Sequence, residues 1–210
     1  MAHICLLLSG AALLINGLGT LGFLPRRDSG VFSLLVGCTQ LALGIACLAV
    51  GTTAPLTVAG MFLFGTTYAY VGLDALLGLG SKGLGWFCGM VAAVGLVLAA
   101  AWLGSDPLLA VLWLCWAVLW GMLFASAALG VTRLDPLTGW SLVLSSQVTA
   151  TVPALLGLAG LWPSGGGAAG VAAVLLAGVF VLAQRLARRG AAAPPRASEK
   201  VAPGPAGRAS

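Results

Sequence analysis

The sequence predicts an all-α integral membrane protein that crosses the bilayer seven times. Three observations carry this. Of the 210 residues, 60% are hydrophobic and 7% charged, whereas a soluble domain needs a far more charged surface to stay in water. The apolar residues fall into runs of about 20, the length a helix needs to cross the hydrocarbon core. Every Lys and Arg lies in an alternate link, or at the end of the last run and beyond it, which is the segregation that fixes membrane orientation.

The runs follow one another across short Gly- and Pro-rich breaks. The first spans Ile4–Leu24 and lacks the basic start of a signal peptide. Pro25–Gly30, with Arg26 and Arg27, ends it. Val31–Val50 and Leu56–Leu79 follow on either side of Gly51–Pro55, and Gly80–Gly83, with Lys82, precedes Leu84–Leu103. Gly104–Pro107 leads into Leu108–Leu129. Gly130–Pro136, with Arg133, leads into Leu137–Leu161. Pro163–Gly167 opens the seventh run, Ala168–Leu186, which is rich in small residues but strongly apolar over Val171–Leu182. Arg185 lies at its very end, and Arg188, Arg189, Arg196, Lys200 and Arg208 come after it. Seven spans put all the basic residues on one side, so the N-terminus is expected outside and the C-terminus in the cytoplasm. The net charge of +5 is read as topology, with no nucleic-acid partner. The segment from Gly190 on, with no apolar face, is expected to be a disordered cytoplasmic tail.

Polar groups in mid-span are costly in lipid and therefore informative. Asn16 lies mid-way in the first span and fits either interhelical bonding or the lining of a wet path. Ser33 and Gln40 mark the second span, Thr66, Thr67, Tyr68 and Tyr70 the third. Ser145, Ser146, Gln147, Thr149 and Thr151 mark the sixth, just before Pro153, whose missing N–H frees a backbone carbonyl. Gly10, Gly17, Gly65 and Gly72 read as close helix contacts. Cys5, Cys38, Cys47, Cys88 and Cys115 lie within spans without metal-ligand spacing and read as packing residues, so no metal and no cofactor is expected.

Among the aromatics, Trp86 and Trp102 bracket the fourth span and Trp140 and Trp162 the sixth, the pattern of interfacial anchors. Trp113, Trp116 and Trp120 are different. Their i, i+3, i+7 spacing puts them on one stripe inside the fifth span, and Phe64 and Tyr68 form an i, i+4 stripe on the third. Helix packing would explain either stripe alone. Together, beside Asn16, they suggest a flat slot lined by rings, suited to a planar, neutral, polar solute. An ion pathway would instead need charged rings; the spans offer only Asp74, near the end of the third.

The stretches LWLCWAVLW (Leu112–Trp120), FLFGTTYAY (Phe62–Tyr70) and LLING (Leu13–Gly17), with a Val-Pro-Ala at Val152–Ala154, resemble the AmiS/UreI family of urea and short-chain amide channels. The resemblance runs from about Ile4 to Trp162. It implies a bundle of six core helices arranged as three hairpins, a pore through each protomer, and a homo-hexamer in the inner (plasma) membrane. It places the constriction at Leu13, Asn16, Phe64, Tyr68, Trp113, Trp116, Leu119 and Trp120, and it implies urea or short-chain aliphatic amides as the solutes.

Three departures from the family pattern stand out. Ser145 occupies a place where the family often carries glutamate. The acid-gated members have long His-rich exterior loops, whereas this chain has one histidine, His3, and short loops, so histidine-based acid gating is not expected. The seventh span is extra. The expected division is therefore a channel domain over residues 1–162, an additional helix over 163–189 and the tail over 190–210. The function expected is a passive channel and not an enzyme, since no span carries a catalytic constellation. The alternatives are a proton-coupled transporter using Asp74, or an accessory subunit that transports nothing.

Overall fold

The computed structural model describes residues 1–51 and 53–192; the expected tail from 193 on lies outside them. Long helices follow one another in chain order: α1 (Ala2–Thr20), α2 (Arg26–Val50), α3 (Pro55–Leu77), α4 (Lys82–Trp102) and α5 (Pro107–Ala127). The sixth span, Thr132–Leu158, is composite. It opens with a 3₁₀ turn, runs through α6 (Asp135–Ser146) and a π-turn over Gln147–Thr151, and closes with α7 (Val152–Leu158). Last comes α8 (Gly166–Ala192). Among the described residues, seven helical segments are long and apolar enough to cross a membrane.

Several helices start earlier than their apolar runs. α2 begins at Arg26 and not at Val31, because Pro25 forms its N-cap and Asp28 lies in its first turn, where a negative charge meets the positive end of the helix dipole. α4 begins at Lys82, with Ser81 capping the Leu84 N–H. α1 stops at Thr20, four residues before its run ends. α8 continues past Leu186, so Arg185, Arg188 and Arg189 sit on helix.

The helices pair as hairpins. α2 lies along α3, and α4 along α5. The third pair joins the two ends of the six-span sequence, α1 against α6, the π-turn and α7, which closes the bundle. Glycines set these approaches. A side chain at Gly17 would meet the Gly139 carbonyl at 2.8 Å, and one at Gly37 would meet the Gly65 carbonyl at 2.7 Å. In lipid no hydrophobic force drives helices together, so backbone proximity of this kind supplies the packing. α8 lies outside the pairs, against α6 and α5. Four of the five cysteines are buried as expected, but Cys38 is exposed on the outside of α2 and packs against nothing in the bundle interior.

The π-turn has a local cause. Pro153 cannot donate to the carbonyl four residues back, and the hydroxyls before it reach back to the helix's own carbonyls. Ser145 Oγ donates to Ser141 O at 2.5 Å, Ser146 Oγ to Val143 O at 2.6 Å, and Thr149 Oγ1 to Ser145 O at 2.8 Å. Back-bonding hydroxyls beside a proline bend and loosen a helix, and π-turns are one way to absorb the mismatch.

Candidate functional site: an aromatic neck between two cavities

Two cavities enter the bundle from opposite ends. One, of about 470 Å³, is lined by His3, Ser9, Gln40, Phe64, Trp113 and Trp116, among others. The other, of about 390 Å³, includes Leu13, Asn16, Arg26, Tyr68, Asp74 and Trp120 in its wall. They are called here the His3 cavity and the Asp74 cavity.

Rings separate them. Phe64, in the wall of the His3 cavity, stacks on Trp120, in the wall of the Asp74 cavity, with centroids 4.8 Å apart and planes 27° apart. Trp116 stands edge-on to Phe64 at 5.1 Å and 89°, and Trp113 lies 5.3 Å from Phe64. Tyr68 meets Trp120 edge-on at 6.3 Å. The two stripes on α3 and α5 therefore face each other, and Phe64 touches all three tryptophans of the α5 stripe. Each of these rings is buried. Edge-to-face and offset contacts of this kind favour defined ring orientations.

Polar bonds hold the rings from behind. Trp116 Nε1–H donates to Thr149 Oγ1 at 3.2 Å, and Trp120 Nε1–H to Thr67 Oγ1 at 3.2 Å. Each threonine passes its own proton to a helix carbonyl, Thr149 to Ser145 O and Thr67 to Leu63 O. Both indole donors are thus satisfied inside the bundle. Tyr68 Oη–H reaches Ser9 O at 3.5 Å, a long contact that leaves the phenol loosely tied.

Asn16 bonds between helices and also borders a cavity. Its Nδ2 donates to Ala12 O and to Ser33 Oγ, each at 2.8 Å, which ties α1 to α2, and it lies in the wall of the Asp74 cavity. Leu13 joins it there. Leu119 and Ser145 are placed differently. Both are fully buried and line neither cavity, and the Ser145 hydroxyl is turned onto its own helix. Thr149, one turn beyond Ser145, is the residue that meets the aromatic cluster.

The two mouths differ in charge. On the Asp74 side, Arg26 pairs with Asp74 Oδ2 at 2.7 Å, and the Ser81 backbone N–H donates to Asp74 Oδ1 at 2.7 Å. The carboxylate is 6% exposed, while the arginine is 73% exposed. Both oxygens are engaged, so Asp74 pins the start of α2 to the start of α4. On the opposite side, His3 stacks on Trp162 at 5.3 Å, and Trp162 Nε1–H donates to Asp106 Oδ2 at 2.9 Å. Trp102 also lines this mouth. Trp102 and Trp162 thus do more than anchor at an interface: they wall the cavity. Trp86, by contrast, is exposed and meets only Phe124 edge-on among the rings.

Residues 1–161, which include every side chain lining the two cavities up to the last tryptophan of the mouth, match the model of the AmiS/UreI family transporter. The chain belongs to the AmiS/UreI family. As such it is a multi-pass membrane protein of a family of transporters and channels rather than of enzymes. Among its relatives is a Rhodococcus erythropolis protein described as the transporter AmiS2, 42% identical over 165 residues, or 76% of this chain and 80% of that one. Another is a Mycolicibacterium smegmatis protein described as a transporter of amidate substrates, 38% identical over 197 residues, 91% of this chain and 92% of that one. A match of that extent takes in at least part of α8. The crystal structure of the urea channel of Helicobacter pylori superimposes with a TM-score of 0.69 at 26% identity, covering 78% of this chain and all of that one. The cryo-EM structure of the same channel in its closed state superimposes with a TM-score of 0.69 at 25% identity. The match takes in the whole of that solved chain and leaves about a fifth of this one outside it.

The residues that sequence reasoning underweighted are Thr67, Thr149, Ser9, Gln40, Trp102 and Trp162. Their signal was present: each is a polar or amphipathic side chain at a depth or a helix end where lipid would not select it. Which of them faces a cavity depends on helix rotation, and sequence spacing does not fix that between helices.

Proposed function

We propose that this protein is a passive channel for small uncharged amides or urea, selected at the neck formed by Phe64, Tyr68, Trp113, Trp116 and Trp120. The observation that carries the reading is the meeting of two cavities at stacked rings, with the indole N–H groups of Trp116 and Trp120 bonded to Thr149 and Thr67. Such a neck offers π-faces and little charge, so it favours flat neutral solutes over ions, which would lose hydration without replacement. Its supports are the family and the relatives named for urea and amide transport.

Asp74 is the residue a proton-coupled mechanism would need. It lies about 9 Å of helix rise from Tyr68, and both its oxygens are held, by Arg26 and by Ser81. That environment supports a structural pin rather than a proton carrier. The basic residues put the Asp74 cavity on the cytoplasmic side and the His3 cavity outside. Assembly as a hexamer is part of the same proposal and rests on the family resemblance, as does location in the inner membrane.

Purified protein in liposomes, challenged with urea, formamide, acetamide and propionamide in a stopped-flow swelling assay, tests this. Protein-dependent swelling is expected for at least one of these solutes, with no change when a proton gradient is imposed. Swelling equal to that of protein-free vesicles for all of them would end the proposal. Dependence on the gradient would replace it with coupled transport.

A further inference from the structure

Gln40 is fully buried at mid-length of α2. Its Nε2 donates to two groups on α1, Cys5 O at 2.9 Å and Ser9 Oγ at 2.8 Å. Cys5 O is a pure acceptor, so the –NH₂ end of the amide must face it, and this settles the amide's orientation on chemical grounds. Oε1 therefore points away from α1, and it is buried with no hydrogen-bond partner among the described residues. A buried carbonyl left without a donor is disfavoured, more so in a membrane bundle where few waters compete. A helix tie explains the –NH₂ end alone; an apolar side chain would pack there without leaving an orphan oxygen.

The position of the orphan gives it a use. Gln40 and Ser9 both belong to the wall of the His3 cavity, with Phe64, Trp113 and Trp116. Ser9 Oγ accepts from Gln40, so its own proton is free to donate. The pair therefore offers one acceptor and one donor beside the aromatic neck. An amide has the complementary edge, an N–H next to a carbonyl. We infer that Gln40 Oε1 takes the N–H, and Ser9 the carbonyl oxygen, of an amide solute as it enters the neck. This rests on the amide-channel reading above and adds a selectivity rule to it: solutes are ranked by N–H content as well as by width.

Three constitutional isomers separate the two. Propionamide carries two N–H bonds, N-methylacetamide one and N,N-dimethylformamide none, at the same atomic composition. Permeabilities are measured in proteoliposomes, with protein-free leakage subtracted and the amount of folded protein matched. For the unsubstituted protein the order should follow N–H content. Gln40→Met keeps the length and removes the acceptor, and is expected to lower the propionamide-to-dimethylformamide ratio about three- to tenfold, the range of one neutral hydrogen bond. Gln40→Glu, as the protonated acid, gives an O–H to Cys5 O in place of the amide N–H and retains an acceptor oxygen, and should hold the ratio within about twofold of the unsubstituted protein. Ser9→Ala loosens the same tie between α1 and α2, yet all three isomers have a carbonyl, so flux should fall for all alike with the ratio unchanged. If Gln40→Met does not accumulate in folded form, Gln40→Leu carries the same reading. A ratio unmoved by loss of the acceptor, or moved equally by Gln40→Met and Gln40→Glu, would leave Gln40 as a helix tie only. Absence of any amide flux in the unsubstituted protein would instead remove the channel reading on which the inference stands.

Discussion

At the scale of single residues, the neck is held by hydrogen bonds that lie behind the rings. Trp116 is oriented by Thr149, and Thr149 by Ser145 O. Thr149→Val keeps the shape and leaves the indole N–H buried without a partner, which costs about 1–3 kcal/mol. Trp116→Phe removes the donor together with part of the ring. If the bond orients the ring, the two substitutions combined should destabilise less than the sum of the two, and the coupling is readable as a double-mutant cycle on thermal unfolding in detergent. Trp116→Phe and Trp120→Phe should also let bulkier amides gain on urea in proteoliposome flux. An unchanged solute ranking in well-folded variants would show that the indoles only fill space. Tyr68→Phe tests the complementary polar term. The phenol is loosely tied to Ser9 O at 3.5 Å, so its loss should leave stability almost unaltered. Flux of the best solute should fall by several-fold at most, the effect of one hydrogen bond of about 0.5–1.5 kcal/mol.

At the scale of elements, the hairpins are set by glycines where backbones touch. Gly37→Ala would drive a methyl against the Ala69 backbone N–H and the Gly65 carbonyl, the latter at 2.7 Å. Neither is a flexible side-chain end, so α2 and α3 must move apart. Overpacking of this kind costs about 1–3 kcal/mol. Because α3 carries Phe64 and Tyr68, the displacement should also reach the neck and alter solute ranking. Gly121→Ala on α5 is the control, since a methyl there meets nothing within 4 Å, and its midpoint should stay near that of the unsubstituted protein. A Gly37→Ala protein as stable as the Gly121→Ala protein would show that the α2–α3 contact is softer than its geometry implies.

At the scale of the whole molecule, α8 packs on α5 and α6 but supplies no side chain to either cavity. Ending the chain at Ser164 should therefore preserve the ranking of solutes per folded molecule. Stability should fall modestly, because the uncovered faces of α5 and α6 would meet lipid, which solvates apolar side chains. A truncated protein that folds but changes its ranking would give α8 a part in the path. The pH response also belongs to this scale. His3 and Asp106 are the imidazole and the carboxylate that line the His3 mouth, and the imidazole is stacked on Trp162 rather than set in the neck. Flux is expected to vary by less than about twofold between pH 5 and 7.5, the range over which histidine switches act. A steep acid activation abolished by His3→Ala would turn the His3–Trp162 stack into a gate.

The sequence by itself determined the solvent, the number of spans and the two aromatic stripes. Each is written locally: apolar runs need about 20 residues to cross a bilayer, basic residues segregate by link, and i, i+3, i+7 spacing fixes a shared face on one helix. Helix starts at Arg26 and Lys82 were less legible, because the fixed backbone of Pro25 at the one and the side-chain cap of Ser81 at the other start a helix ahead of its apolar run. Only the tertiary structure decided which faces meet. It set Phe64 against all three tryptophans and gave the indole donors to Thr67 and Thr149. It turned Ser145 and Leu119 away from both cavities and left the Gln40 oxygen unpartnered. The reason is physical. A helix fixes the angle between its own side chains, but its rotation against a neighbour is set by contacts such as Gly17 with Gly139 and Gly37 with Gly65, which join residues far apart in sequence and leave no periodic trace in it.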